Sequence, residues 1–281
     1  MWKVIAVTFD PTNVAKYETK AYRRTLDMVD AQCKQKLCRY YRREDTFRGL
    51  VGRLLPMTVL KEHGISPRDA VFKTTPSGKP YIETILPSTR IGYNVSHDNG
   101  VIAMVFAAGE YLDNHFPAYR LGVDVMRVEL PDRHTLHDYF EIFSEQLTDL
   151  EQTLLIQSPP LEQSEALRRF YLMWTLKEAY TKALGIGLGF DFRRIEYDVV
   201  HDTVRIDGNL PIQWEFVRFD LTLDEGGVSH TYVGVASREV EGIVQASRHE
   251  SRSVVPVDRT SEWLQLIDAS DFLEHAVEFL S

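Results

Sequence analysis

The chain has 281 residues, of which 44% are apolar and 26% are charged, which is typical of a soluble globular protein with one large or two small domains. No apolar run reaches the 18 residues that a membrane-spanning helix needs. The N-terminal apolar stretch is short and is followed by Asp10, which argues against a secretory signal and favours a first strand.

Charge is spread unevenly along the chain. The net charge is −9, yet residues 1–53 contain twelve Lys and Arg residues against six Asp and Glu residues. A basic region on an acidic protein indicates an anionic ligand or partner nearby, although a solvated helix face has the same composition. The two cysteines, Cys33 and Cys38, lack the spacing of a metal site or a disulfide framework, so we expect free thiols and a reducing, cytoplasmic setting.

Taken in chain order, residues 1–108 predict a strand, a helical region and a hairpin. The predicted bounds are 4–9 for the strand, 14–63 for the helices, 75–80 for a turn-rich loop, and 92–95 and 101–108 for the hairpin strands. Pro56 is expected to interrupt or kink the helical region. Asn99-Gly100 is a strong signal for the hairpin turn.

The second part of the chain repeats that order. It predicts a strand at 121–128, helices at 136–156 and 161–184, and an antiparallel meander at 195–200, 203–206, 212–221 and 229–237. Gly185 is expected to end the second helix. The repeat predicts an α+β fold with two similar halves related by a pseudo-twofold. The predicted parts are an N-terminal half (1–115), a C-terminal half (116–240) and an extension (241–281) with an amphipathic helix at 263–280.

Three ionisable side chains interrupt otherwise apolar elements. Glu178 and Lys182 are four residues apart and share one face of a mostly apolar helix. Asp124 lies within an apolar strand, although aspartate is a poor strand former. Two carboxylates from separate elements suit Mg²⁺, which prefers oxygen ligands and completes its shell with water and phosphate. The alternatives are a structural Glu–Lys pair and a strand-end aspartate that bonds to nearby amides.

Ser96, His97 and Asp98 match a catalytic triad in composition only. Adjacent residues of an extended chain point to opposite sides, and the chain lacks the GxSxG elbow of serine hydrolases. His97 is better placed to bind a phosphate, unless it is a turn histidine without a role. Lys79, in the stiff GKP turn, is a second candidate for a phosphate contact.

The order of these motifs is informative as well. GKP, NVSH, GVDV and WTLKEAYTKALG occur in that order, and together they resemble the 4′-phosphopantetheinyl transferase superfamily, in its larger, two-halved type. The segment GIGLGF at 185–190 is similar to the eukaryotic branch that serves aminoadipate-semialdehyde reductase and cytosolic fatty acid synthase. The matching motifs lie between residues 40 and 192.

The resemblance implies transfer of 4′-phosphopantetheine from coenzyme A to a serine of a carrier protein, with release of adenosine 3′,5′-bisphosphate. It implies Asp124 and Glu178 as Mg²⁺ ligands, and Glu178, Lys182 and His97 as catalytic residues. The implied contacts with coenzyme A are Arg48 at the 3′-phosphate with Arg43 as a helper, Lys79 and Pro80 beside the adenine, and Ser96, His97 and Lys182 at the phosphates.

The implied partners are coenzyme A and the apo forms of acyl, peptidyl and aminoadipate-reductase carrier proteins, which are usually acidic. We expect a cytoplasmic monomer without a nucleic-acid or membrane partner. A non-catalytic module that binds carrier proteins or nucleotides is the alternative. Two positions depart from the family pattern: Met126 replaces an acid of many bacterial members, and Asp98 follows NVSH. Asp98 is interpreted either as support of the metal through a water or as the start of the hairpin turn.

Overall fold

Two four-stranded sheets, each packed against a long helix, form the centre of the protein. The computed structural model describes residues 2–84, 90–109, 112, 118–186, 189–240, 253–258 and 260–281. Within those residues the strands are β1 (Trp2–Thr8), β2 (Ala70–Thr74), β3 (Pro80–Thr84), β4 (Ile91–Asp98), β5 (Val101–Ala108), β6 (Leu121–Arg127), β7 (Ile195–Asp198), β8 (Thr203–Ile206), β9 (Trp214–Glu225), β10 (Val228–Glu239), β11 (Val254–Val257) and β12 (Leu264–Asp268). The α-helices are α1 (Lys20–Met28), α2 (Ala31–Leu37), α3 (Arg43–Glu62), α4 (Leu136–Ile142), α5 (Asp149–Leu155), α6 (Gln163–Leu184) and α7 (Ala269–Leu280).

The two sheets repeat one arrangement. The first sheet has the strand order β12-β1-β5-β4, and the second has the order β11-β9-β10-β6. The chain runs from β1 through α3 to the hairpin β4–β5, and later from β6 through α6 to the hairpin β9–β10. In both cases the second hairpin strand pairs antiparallel with the first hairpin strand and with the leading strand. The predicted α+β fold with two halves is therefore confirmed.

The end of the chain adds one parallel strand to each sheet. β11 pairs with β9, and β12 pairs with β1, where Val4 lies opposite Leu264. The predicted helix at 263–280 is therefore wrong for its first residues, because 264–268 bond to the edge of β1; the rest forms α7, which packs on α1 and α3. The predicted domain boundaries, 115/116 and 240/241, lie within or at the edge of the ranges 113–117 and 241–252 that the structure does not describe, and they stay predictions.

Several predicted bounds change in the structure. The region 14–63 is divided into α1, α2 and α3, and α3 continues through the buried Pro56, so this proline does not interrupt the helix. The region 136–156 divides into α4 and α5, because Thr148 and Glu151 form a capping box that starts a new helix. The predicted meander holds for its two antiparallel pairs, β7–β8 and β9–β10, but it is not continuous. β7 and β8 form a separate sheet, and the second edge of β9 pairs with β11.

The two halves meet along the edges of β4 and β6. Asn94 accepts a hydrogen bond from the amide of Val123 at 3.0 Å, and Asp98 accepts one from the amide of Arg127 at 2.7 Å. Side chains of β4, rather than a backbone ladder, therefore satisfy amides on the open edge of β6. Among the helices described, none has the length and apolar character needed to cross a membrane.

Candidate active site

Close packing of α6 on β6 builds the candidate site. A Cβ atom added at Gly122 would lie 1.9 Å from the carbonyl oxygen of Ala179, so only glycine allows the helix to approach the strand this closely. Ser237 on β10 donates a hydrogen bond to that same oxygen at 3.0 Å. These contacts place the C-terminal half of α6 beside the middle of β6.

Asp124 is the centre of a polar cluster between the two halves. It is 4% exposed, and its Oδ1 accepts hydrogen bonds from Lys182 Nζ at 2.6 Å and from Ser96 Oγ at 2.9 Å. Lys182 Nζ also donates to Ser96 Oγ at 3.0 Å. Burial raises the pKa of Asp124, and the contacts with Lys182 and Ser96 oppose that rise. The structure thus brings together three residues that the sequence singled out, one each from β6, α6 and β4.

The carboxylates of this cluster fit a divalent cation. Oδ2 of Asp124 is buried and has no hydrogen-bond partner within the described part of the chain, which is costly for a carboxylate oxygen. Glu178 lies one turn before Lys182 on α6 and is partly buried; burial and then the charge of Asp124 raise its pKa, while Lys182 opposes the rise. A buried carboxylate oxygen without a partner among the described residues, next to a second carboxylate whose pKa the first one raises, is the ligand type that Mg²⁺ uses.

A second group of metal-type side chains lies on the surface of α4. His137, Asp138 and Glu141 bring ligand atoms within 4.8 Å of one another. All three residues are exposed, and Asp138 already accepts a hydrogen bond from Thr135. Water satisfies exposed carboxylates, so this group lacks the unsatisfied buried oxygen that distinguishes Asp124.

His97 and Arg48 flank the cluster. His97 alternates with Ser96 along β4 and so points to the other side of the strand. Arg48 on α3 donates to the carbonyl oxygen of Asn99, at the end of the same strand, at 2.8 Å. Although His97 is exposed, partial desolvation and then the charges of Arg48 and Lys182 lower its pKa. A site that disfavours a third positive charge is suited to an anionic ligand.

The contacts along β4 give no support to a serine hydrolase. Ser96 donates to Asp124, and Asp98 accepts from the amide of Arg127, so neither of these side chains bonds to His97 in the part of the chain described. Neither interpretation of Asp98 predicted its contact with Arg127. That contact joins the two halves.

The other predicted coenzyme A contacts are spread over the N-terminal half. Pro80 begins β3, and Arg43 begins α3, where it is exposed and pairs with Glu18 at 3.2 Å. Lys79 differs from the prediction of a phosphate contact, because its ammonium is buried and donates to three backbone carbonyl oxygens. The ammonium of Lys79 is therefore not free for a phosphate in this structure, and the implied position of Lys79 beside the adenine stays a prediction.

A basic cavity next to Pro80 was missed by residue-level sequence reasoning. Its volume is about 570 Å³, in the range of small-molecule sites. Its lining combines cationic and aromatic side chains with Pro80: Lys36, Arg39, Arg53, Lys73, Tyr40, Phe72 and Tyr93. Arg53 lies over the ring of Phe72, 3.6 Å from its centroid. The excess of positive charge in residues 1–53 was the signal for this cavity, but it did not indicate which cations converge.

Comparison with known proteins agrees with this geometry. A family model for the 4′-phosphopantetheinyl transferase superfamily matches residues 120–233, and one for the N-terminal part of 4′-phosphopantetheinyl transferase matches residues 16–110. The 4′-phosphopantetheinyl transferase pptA of Paxillus involutus is 42% identical over 282 residues, which cover 99% of either chain. The chain belongs to the 4′-phosphopantetheinyl transferase superfamily.

Other relatives define the branch of the superfamily. The L-aminoadipate-semialdehyde dehydrogenase-phosphopantetheinyl transferase of Rattus norvegicus is 28% identical over 89% of this chain and 79% of its own. A phosphopantetheinyl transferase of Thraustochytrium sp. is 31% identical over 61% of this chain and 59% of its own. The chain is thus a transferase of the larger eukaryotic type, which uses coenzyme A to modify carrier proteins.

Proposed function

We propose that this transferase binds Mg²⁺ between Asp124 and Glu178 and, with Lys182, transfers phosphopantetheine to a carrier serine. The observation that carries the proposal is the buried Oδ2 of Asp124, which has no hydrogen-bond partner among the described residues while Oδ1 of the same carboxylate bonds to the Lys182 ammonium. The serine oxygen forms a bond to the β-phosphorus of coenzyme A. The bond to adenosine 3′,5′-bisphosphate breaks, and that group leaves.

The metal and two side chains have distinct roles in this scheme. When bound, Mg²⁺ supplies positive charge to the pyrophosphate and to the leaving oxygen. Lys182, which Asp124 and Ser96 hold in place, adds a second positive charge at the same phosphates. Glu178 accepts the serine proton directly or through a water.

Coenzyme A is proposed to bind across the N-terminal half. The basic cavity beside Pro80 has the size and charge for the adenosine end of the molecule. Arg48 binds the 3′-phosphate, with Arg43 as a helper, because an arginine can donate two parallel bonds to a phosphate. His97, next to two cations and with a lowered pKa, contacts another phosphate.

The proposed acceptors are apo acyl, peptidyl and aminoadipate-reductase carrier domains. Several relatives are named for an aminoadipate-semialdehyde dehydrogenase, and the cation excess in residues 1–53 suits an acidic carrier. Because both halves of the site lie in one chain, we propose an active monomer with no nucleic-acid or membrane partner. The free thiols of Cys33 and Cys38 suit a reducing cytoplasm.

Mass spectrometry of an apo carrier domain tests the proposal. Incubation with enzyme, coenzyme A and Mg²⁺ should add one phosphopantetheine group to the carrier serine, and chelation of the metal should prevent this. A non-catalytic module would bind coenzyme A equally with and without Mg²⁺ and leave the carrier mass unchanged. Modification that persists in full after metal removal would contradict the metal assignment alone.

A further inference from the structure

Lys79 reaches from the N-terminal half into the backbone of the C-terminal half. It is 6% exposed, and its ammonium donates to the carbonyl oxygens of Leu121 at 2.8 Å, Lys182 at 2.8 Å and Ala183 at 2.7 Å. Leu121 begins β6, and the other two residues lie in the last turn of α6. One buried cation therefore contacts the two elements that carry the candidate active site.

The turn between β2 and β3 holds Lys79 in this position. Thr75 donates its amide to the carbonyl of Lys79 at 2.9 Å, and its hydroxyl accepts from the amide of Lys79 at 3.1 Å. Gly78 has a φ of 87° and donates its amide to Thr75 at 2.8 Å, so the turn needs glycine at that position. This closed turn fixes the direction in which the Lys79 side chain leaves the hairpin.

The end of α6 is suited to receive a cation. The last carbonyl groups of a helix lack partners within the helix and carry the negative end of its dipole. Gly185 ends α6 with a φ of 72°, and a Cβ added there would lie 3.0 Å from Cδ of Lys79. Glycine therefore permits both the left-handed ending of the helix and the close passage of the lysine stem.

We propose that Lys79 is a positioning residue that joins the last turn of α6 to the start of β6. The inference rests on the proposed function, because these elements carry Lys182 and Asp124. Lys182 offers its own carbonyl to Lys79, and Leu121 precedes Asp124 by three residues. Holding both backbones on one ammonium fixes the approach of the Lys182 side chain to the Asp124 carboxylate.

Replacement of Lys79 by methionine tests this role, because methionine preserves the length of the stem and removes the charge. In the free enzyme, Lys79→Met should make amide hydrogens at 183–186 exchange about tenfold faster, since the last turn of α6 opens more easily. The kcat should fall about 10–100-fold through misplacement of Lys182, while the KM for coenzyme A changes less than about threefold. Lys61→Met, at an exposed position in the last turn of α3, is the matched control and should change neither quantity.

Two results would overturn the positioning role. The first is unchanged amide exchange at 183–186 in Lys79→Met. The second is a higher KM for coenzyme A with an unchanged kcat in that variant, which is the result expected if Lys79 binds a phosphate directly. Amide exchange does not depend on carrier modification, so failure of the transfer reaction itself would be recognised separately.

Wild-type enzyme provides a second measurement if the variant does not fold. Amine-specific acylation followed by peptide mass spectrometry should modify Lys79 much more slowly than the exposed Lys61, with or without coenzyme A. Rapid modification of Lys79 that coenzyme A suppresses would show that its ammonium faces the ligand instead.

Discussion

The leading strands of the two halves, β1 and β6, are each seven residues long, but their central residues differ in kind. The fourth residue of β1 is Ile5, which is buried in an apolar core cluster. The fourth residue of β6 is Asp124, which is equally buried but bonds to Lys182, and one of its oxygens has no hydrogen-bond partner among the residues that the structure describes. The same scaffold therefore carries an apolar side chain that stabilises the fold in one half and a costly carboxylate in the other.

The edges of the two leading strands explain where that carboxylate is tolerated. β12 covers the free edge of β1 with a parallel backbone ladder. The corresponding edge of β6 faces β4, where Asn94 and Asp98 accept two of its amides and Ser96 bonds to Asp124. A backbone ladder leaves no room for ligands, whereas side-chain contacts at an edge leave polar atoms that a cation or phosphate can use.

The largest expected effect is on the transfer rate, and it should distinguish a substitution of Asp124 from a substitution of Ile5. Asp124→Asn keeps the shape of the side chain but removes the charge, and we expect carrier modification to fall about 10³-fold. Ile5→Val should cost about 0.5–1.5 kcal/mol of unfolding free energy, with transfer per folded molecule unchanged. Rates of holo-carrier formation and urea unfolding measure both quantities. Comparable activity in Asp124→Asn and wild type would remove Asp124 from the reaction.

The second prediction concerns Lys177, which precedes Glu178 on α6 but forms a buried ion pair away from the candidate site. Lys177 pairs with Glu151 at 2.7 Å, and both side chains are fully buried at 0% exposure. Lys177→Met should therefore cost about 3–5 kcal/mol of unfolding free energy, because it leaves the Glu151 charge buried and unpaired. Adding Glu151→Gln to that variant should restore part of the loss. Urea unfolding checks this, and a loss below about 1 kcal/mol would mean that the pair behaves like a surface ion pair.

The sequence predicts those helices and strands whose own residues show a clear apolar periodicity. α6 and β6 follow from apolar periodicity interrupted by Asp124 and Glu178, and Gly185 marks the helix end that the structure confirms. β12 could not be predicted in the same way, because its partner Val4 lies about 260 residues away and short apolar strands resemble helix segments. The hydrogen-bond acceptors of the Lys79 ammonium could not be predicted for a related reason. The carbonyls that it contacts have no side-chain signature and lie on elements remote in the chain.

The N-terminal half allows a comparison between two candidate phosphate sites. Arg48 donates to Asp45 and to the carbonyl of Asn99, and its guanidinium has further N–H groups for a ligand. Arg48→Ala should raise the KM for coenzyme A about tenfold, with a smaller effect on 3′-dephospho-coenzyme A. Arg39→Ala, in the basic cavity, is the comparison variant. The 3′-phosphate lies in the cavity if Arg39→Ala, and not Arg48→Ala, raises the KM for coenzyme A more than the KM for 3′-dephospho-coenzyme A.

The contact between Lys182 and Asp124 predicts a modest effect on metal binding. The ammonium occupies Oδ1 of Asp124 in the free structure, so it competes with a cation for that carboxylate. Lys182→Met should bind Mn²⁺ about three- to tenfold more tightly than wild type without coenzyme A, since a nearby positive charge is gone. Electron paramagnetic resonance of free Mn²⁺ measures this, with Lys61→Met as the control. Weaker Mn²⁺ binding in Lys182→Met would show that the ammonium organises the carboxylates rather than competing.

The smallest expected effect concerns His97, whose pKa in the free protein lies below its ordinary value because of partial desolvation and then the charges of Arg48 and Lys182. The charge of Asp45 opposes these effects. A bound phosphate would add negative charge next to the imidazole and raise its pKa, so that coenzyme A binding takes up protons. The contribution of His97 to coenzyme A affinity should therefore increase as the pH falls through the His97 pKa of the complex. It should level off once the pH is below the His97 pKa of the free enzyme.

An NMR titration of the imidazole signals, with and without coenzyme A, measures that shift directly and is independent of protonation of the coenzyme's own phosphates. We expect the His97 pKa to rise on binding, because the phosphate charge favours the protonated imidazole. His137, exposed on α4, is the internal control and should not shift. An unchanged or lowered pKa for His97 in the complex would mean that its face of β4 does not meet a phosphate. The anionic site would then be confined to the Lys182 side of that strand.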